Sequence, residues 1–214
     1  MSLIRHDTNF LTNPHRRRTI VHMNKRSGEE TKKKILEVAG KVFSEYGYSR
    51  TNMRLVAGSA GISVGCLYLY FKNKEDLCLT LMKESLDDFN RETREALCGI
   101  HDPREALTTF VTLTADRAIG CKELYLLHAR EHGFSFGMEL KKNFFRERRR
   151  LIEDIIRDGV EKKIFRECNV MQTANVIFNV LRGFVVSLMI DDDALFSVEE
   201  CVNVILNGVL ARNA

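Results

Sequence analysis

The stretch Thr51-Asn52-Met53-Arg54-Leu55-Val56-Ala57-Gly58-Ser59-Ala60-Gly61-Ile62-Ser63-Val64-Gly65-Cys66-Leu67-Tyr68-Leu69-Tyr70 decides the fold of this chain. Its first half places Leu55, Val56 and Ala60 at helical spacing, with Thr51 ahead of them as a polar N-cap. Ala60-Gly61-Ile62-Ser63 then breaks the helix. Gly61 suits the left-handed residue that ends a helix, Ile62 plugs the core, and Ser63 caps the next helix. Two short helices joined by a three-residue glycine turn predict a helix-turn-helix, whose second helix enters a major groove.

The second helix, Val64–Tyr70, has the side chains for that position. Gly65 lets the backbone approach base edges, Val64 and Cys66 suit a thymine methyl, and Tyr68 offers a hydroxyl on a rigid ring. Phe71 returns to the core. Lys72-Asn73-Lys74 then opens another helix, putting two ammonium groups and a helix N-terminus where a phosphate would sit. Arg54 is the expected clamp from the preceding helix. The residues expected to meet DNA are Thr51, Arg54, Ser63, Val64, Gly65, Cys66, Tyr68, Tyr70, Lys72 and Lys74, with Tyr70 equally readable as a core aromatic.

Charge points the same way. The net charge of +4 hides an asymmetry: Met1–Lys74 carries 14 Lys and Arg against 5 Asp and Glu, and Glu75–Ala214 carries 19 against 24. A basic first third joined to an acidic remainder fits a surface that faces a polyanion. With 44% hydrophobic and 29% charged residues, the composition is that of a globular chain, not a disordered one. The six cysteines, Cys66, Cys78, Cys98, Cys121, Cys168 and Cys201, form no CxxC pair, and the start lacks the apolar region of a signal peptide. Free thiols in a reducing cytoplasm are expected. The longest apolar stretch, Ile177–Ile190, is interrupted by Asn179 and Arg182 and is shorter than a bilayer crossing requires, so no membrane is expected as a partner.

No segment alternates in the manner of a strand, and apolar residues recur at helical spacing nearly throughout. Ser27 with Glu30, Asn169 with Gln172, and Ser197 with Glu200 fit the capping box, and Asp102-Pro103 fits an N-cap followed by proline. The expected class is all-α. Helices are predicted over Gly28–Tyr46, Asn52–Ala60, Val64–Tyr70, Lys74–Cys98, Pro103–Ile119, Cys121–His132, Gly137–Lys163, Val170–Ile190 and Val198–Arg212. Residues 1–26 read as a flexible basic arm, 27–87 as a three-helix DNA-binding domain, and 88–214 as a second helical domain.

The run from Thr51 to Leu77 resembles the signature of TetR-type transcription regulators, roughly T-x-x-x-I-A-x-x-A-G-V-S-x-G-x-x-Y-x-Y-F-x-x-K-E-x-L. Ile35, Leu36, Ala39, Val42 and Phe43, followed by Tyr46-Gly47-Tyr48, look like the first helix of that family. Val56 and Ile62 depart from the pattern without physical consequence, and Cys66 leaves its role in base reading open. The resemblance implies a homodimer that binds a palindromic double-stranded DNA operator and releases it when a small-molecule effector binds the second domain. Repression is the expected outcome of binding.

The second domain reads less sharply. Val170–Ile190 is apolar nearly all round and needs cover on both sides. With Val198–Arg212 it reads, on the residues alone, as a plain intramolecular core; the resemblance implies instead a four-helix dimer interface through Phe184, Leu188, Val202, Ile205, Leu206 and Val209. An effector pocket is expected from Tyr125, His128, His132, Phe178 and Arg182. Arg182 reads as a charge inside an apolar helix, matched by an anion or by Asp116 or Glu123. Lys141–Lys142 and Arg146–Arg150 read as a solvated face. His128-Ala129-Arg130-Glu131-His132 matches the H-x-x-E-H pattern of some zinc peptidases, with Cys121 on the same helical face. That motif defines two alternatives, a metal-responsive regulator and a zinc peptidase. The glycine-rich and nucleophile motifs of enzymes are absent, so no catalytic residue and no cofactor are expected.

Overall fold

A computed structural model of the 214-residue chain describes residues 25–120, 137–190 and 197–210. Eight helices are defined among them: α1 (Lys25–Arg50), α2 (Met53–Ala60), α3 (Val64–Tyr70), α4 (Lys74–Leu97), α5 (Pro103–Gly120), α6 (Met138–Glu161), α7 (Val170–Ile190) and α8 (Val198–Val209). The class is all-α. Tyr125, His128, His132 and Cys121 lie outside the described residues, as do residues 1–24 of the expected basic arm.

The caps mostly agree with the sequence. Asn169 accepts from the Gln172 amide at 3.0 Å, Ser197 from Glu200 at 3.1 Å, and Asp102 from Arg104 at 2.9 Å. Two expectations fail. Ser27 does not start α1, which already begins at Lys25, and its carbonyl instead accepts the Thr31 hydroxyl at 2.7 Å. The cap of α2 is Asn52, not Thr51. Gly47, with φ 79° and ψ 165°, interrupts α1 just after the predicted end at Tyr46.

Helices α1 to α3 and the start of α4 enclose one core, in which Ile35, Ala39 and Phe43 meet Val56, Leu67, Phe71 and Leu77. A second core joins Leu107 and Phe110 of α5, Ile152 and Ile156 of α6, Ile177 and Leu181 of α7, and Ile205 of α8. Helix α4 packs against α1 at one end and against α5 and α6 further along, so it belongs to both units. Residue 87, where the sequence suggests a domain boundary, falls inside this continuous helix.

Four residues expected at the dimer interface are interior to the protomer. Phe184 and Leu188 pack with Ala115 and Ala118, and Ile205 and Val209 belong to the larger core. Val202 and Leu206 are half-buried against it. The opposite faces carry the exposed apolar residues Val176, Val180 and Val186 of α7 and Val204 of α8. Helix α7 as a whole, with a mean hydropathy of 1.2 over Val170–Leu188, is long and apolar enough to cross a bilayer. Its one-sided burial through Ala174, Ile177, Leu181 and Phe184, with Gln172, Asn179 and Arg182 exposed, is that of a core helix.

The charges of this half also differ from expectation. Arg182 is exposed, lying over the rings of Phe145 and Phe178 at 5.4 and 5.9 Å. Arg148, read from sequence as solvated, is the buried arginine at 2% exposure. Its guanidinium donates to the hydroxyls of Thr93 and Thr114 and stacks on Phe89 and Phe110 at 4.4 and 4.1 Å.

The α6 terminus is closed by tight packing. Gly159 accepts from the amides of Ile164 and Phe165 at 2.9 Å, and a Cβ there would overlap the Phe165 ring. That ring cannot easily retreat, because Phe165 bridges to Leu210 and the Arg166 amide bonds the Val209 carbonyl at 2.9 Å. Gly159→Ala should therefore cost about 1–3 kcal/mol by overpacking. Thermal unfolding should show a midpoint several degrees lower, and an unchanged midpoint would mean that the Phe165 turn is loose.

Candidate nucleic-acid interface

The geometry of the interface starts at α2. Asn52 Oδ1 accepts from the Leu55 amide at 2.9 Å, which satisfies one of the free donors at the helix start. At the other end Gly61 takes φ 69° and ψ 31°. Its amide bonds the Gly58 carbonyl at 3.1 Å, and the Ile62 amide bonds the Ala57 carbonyl at 3.0 Å. These two bonds are the Schellman closure, and they require the left-handed residue that only glycine adopts without strain. Ser63 Oγ then accepts from the Cys66 amide at 3.1 Å and starts α3. The axes of α2 and α3 turn through 102°, within the range of a DNA-reading helix pair.

Burial divides α3 into two faces. Leu67 is buried in the core, and Val64 and Tyr70 are half-buried against it. Gly65, Tyr68 and Leu69 are exposed, and their spacing of three and four residues makes them one face, opposite Leu67. Cys66, half-buried, flanks that face. A Cβ on Gly65 would meet only Ser63 Oγ, at 3.9 Å, so the glycine is not demanded by the protein's own packing. Arg54 is exposed on α2 and borders an open groove with Asn52, Gly58 and Ser59. The side chain of Lys72 is exposed as well.

Two of the expected contacts are engaged internally instead. Thr51 is buried, and its hydroxyl donates to the Gly47 carbonyl at 2.6 Å. Lys74 Nζ donates to the carbonyls of Tyr48 and Thr51 at 2.7 and 2.9 Å and sits 4.0 Å from the centroid of the Tyr48 ring. Both residues hold the frame of the interface. The start of α4 is capped: Asn73 accepts from the Asp76 amide at 2.7 Å, and the Asp76 carboxylate accepts from the Lys72 amide at 2.9 Å. A carboxylate beside that helix end competes with the phosphate read there from the sequence.

Leu69 is missing from the contacts expected from sequence, although the helical spacing from Leu67 places it outward. In the second domain the residues drawn together are Phe178, Phe145, Arg149 and Arg182. The Phe145 and Phe178 rings meet edge-on at 5.4 Å, and Arg149 lies over Phe178 at 5.6 Å. Among the described residues no group of three or more His, Cys, Asp or Glu side chains is placed to hold a metal ion.

Residues 35–81 match the model of bacterial regulatory proteins of the tetR family. The HTH-type transcriptional regulator HbdR of Aromatoleum sp. (strain CIB) is 35% identical over 79 residues, covering 37% of this chain and 34% of that protein. The fatty acid metabolism regulator protein of Bacillus subtilis (strain 168) is 25% identical over 162 residues, covering 74% of this chain and 83% of that protein. The transcriptional regulator FadR from Bacillus subtilis, solved in complex with stearoyl-CoA, shares the fold with a TM-score of 0.64 at 23% identity. That match covers 82% of this chain and 95% of the solved one. Neither alternative built on His128 and His132, a metal-responsive regulator or a zinc peptidase, is supported by these relatives. Residues 35–81, within α1 to α4, are thus similar to bacterial regulatory proteins of the tetR family, and the chain shares its helical fold with the solved regulator.

Proposed function

We propose that this protein is a homodimeric repressor that holds a palindromic operator and releases it when a small, partly apolar effector binds between Pro103 and Arg182. The observation that carries the DNA-binding half is the outward face of α3, presented by the Asn52, Gly61 and Ser63 turns. A groove-facing helix needs small residues at its N-terminal end, where it meets base edges, and Gly65 is one that the fold itself does not require. Arg54 and Lys72 remain as the phosphate contacts. For the effector we favour a long-chain acyl thioester. The stearoyl-CoA complex of the Bacillus subtilis regulator supports that class, as do the phenylalanines of the second domain.

Selection of bound duplexes from a randomised pool tests the DNA-binding half directly. Gly65→Leu has room in the free protein, so it should fold normally and lose specific affinity. Full affinity in that variant would mean that another helix reads the operator. Stearoyl-CoA added to the selected complex tests the effector class, and weaker operator binding is the expected result.

Lys72 and Lys74 should separate in their effects. Lys72→Ala should lower the log–log salt slope of operator binding by about 0.9 without changing stability. Lys74→Met should leave the slope nearly intact and cost about 1–3 kcal/mol of stability, because it removes a charged donor from the carbonyls of Tyr48 and Thr51. The reverse pattern, read by salt titration and thermal melts, would exchange their roles.

For the dimer, the exposed faces of α7 and α8 replace the buried residues expected from sequence. Val176 and Val204 stand 64% and 61% exposed in the protomer, and a twofold mate would cover them. Val204→Glu should give a folded monomer by sedimentation, whereas Phe184→Glu should fail to fold. A dimer that survives Val204→Glu and Val176→Glu together places the interface elsewhere.

A further inference from the structure

Leu69 is 77% exposed, more than any other large hydrophobic side chain among the described residues. It stands at the outward face of α3 beside Gly65 and Tyr68, in the most basic third of the chain. No packing role accounts for it, since the helix buries its other side through Leu67. An exposed leucine on a surface otherwise suited to phosphates is out of place unless its partner there is apolar. The major groove presents one apolar group on its base edges, the C5-methyl of thymine. Gly65, one turn earlier on the same face, removes the side chain that would hold the helix away from the bases. Tyr68, 51% exposed, stands beside Leu69 as a second, rigid wall.

We propose that Leu69 is a specificity-determining residue that packs on a thymine C5-methyl in each operator half-site, so that the methyl group itself is read. This inference rests on the DNA-binding reading above and adds the chemistry of one operator position to it. The contact is dispersive and hydrophobic, it needs no proton or charge, and it discriminates thymine from uracil, which differ only by that methyl. Removing a methyl of this kind weakens binding by roughly three- to tenfold when the contact is well packed.

The experiment uses the full-length protein and a duplex it selects from a randomised pool. Each thymine of one half-site is replaced in turn by deoxyuridine, and affinity is measured for the wild type, Leu69→Ala and Leu69→Met. At one position the wild type should lose roughly three- to tenfold, Leu69→Ala less than twofold, and Leu69→Met nearly as much as the wild type. Because Leu69 is exposed, all three should melt alike, which excludes a folding effect. If every uridine costs Leu69→Ala as much as it costs the wild type, the assignment of Leu69 is overturned while DNA binding stands. A protein that selects no duplex at all overturns the DNA-binding reading and this inference with it.

Discussion

The orientation of α3 depends on one ammonium group. Lys74 Nζ joins the carbonyls of Tyr48 and Thr51, so the first residue of α4 is tied to the end of α1 and to the entry of α2. The Tyr48 ring beneath the ammonium, itself stacked on Phe43 at 5.8 Å, brings that tie into the apolar core. A lysine has three donors and a flexible stem, and here two donors meet the Thr51 carbonyl and the Tyr48 carbonyl, which also accepts the Thr51 amide at 3.2 Å. Thr51 adds its own bond to Gly47 across the same turn. The result is that α3, suspended between Ser63 and Phe71, is held in fixed register to α4. A sequence reading that treats every lysine near a DNA-facing helix as a phosphate contact misses this, because charge alone does not reveal where a side chain bends.

The second domain has its own internal anchor. Arg148 is enclosed by α4, α5 and α6, with two threonine hydroxyls and the faces of Phe89 and Phe110 around it. Beside it Asn90, 3% exposed, donates to Glu147 at 3.1 Å, and Glu147 also takes the Arg94 guanidinium. Asn90 Oδ1 lacks a hydrogen-bond partner among the described residues. Polar groups in such a place fix which faces of three helices meet, since any slip would leave a buried donor or acceptor without its partner.

The DNA-binding half is legible in the sequence because its rules are local. A cap, a left-handed glycine and a second cap lie within a dozen residues, and each has a stereochemical reason that acts at short range. The error at Thr51 shows the limit of that legibility: two adjacent polar residues compete for one cap, and the tertiary contact with Gly47 decides between them. In the second half, sequence hydrophobicity marks α7 and α8 correctly as helices with apolar faces. It does not say which apolar residues face inward, because α7 is apolar on both sides, with Val176, Val180 and Val186 outward and Leu181, Phe184 and Leu188 inward. For Arg148 a signal is present. Phe144, Arg148, Ile152 and Ile155 repeat at intervals of four, four and three, so the arginine lies in the apolar stripe of α6. Read as one of a run of five charged residues, it falls instead to the solvated side.

Helix α4 connects the two halves physically. Leu77 and Cys78 near its start belong to the core beneath α3, and Phe89 and Thr93 further along meet Arg148. Its 24 residues make a rod of about 36 Å at 1.5 Å per residue. Over that length a tilt of about five degrees displaces one end by roughly 3 Å. A dimer that spans successive major grooves needs its recognition helices about 34 Å apart, so such a displacement on both protomers degrades the fit without any unfolding. An effector can exert this only by as much as it prefers the tilted state, typically about 1–3 kcal/mol, or about 5- to 150-fold in affinity. Because Lys74 clamps α4 to the start of α2, the tilt is delivered to α2 and α3 as a rigid unit. On the proposed reading, an effector has no need to approach the DNA-facing residues and has only to displace the packing of α5 or α6 against Phe89 and Thr93.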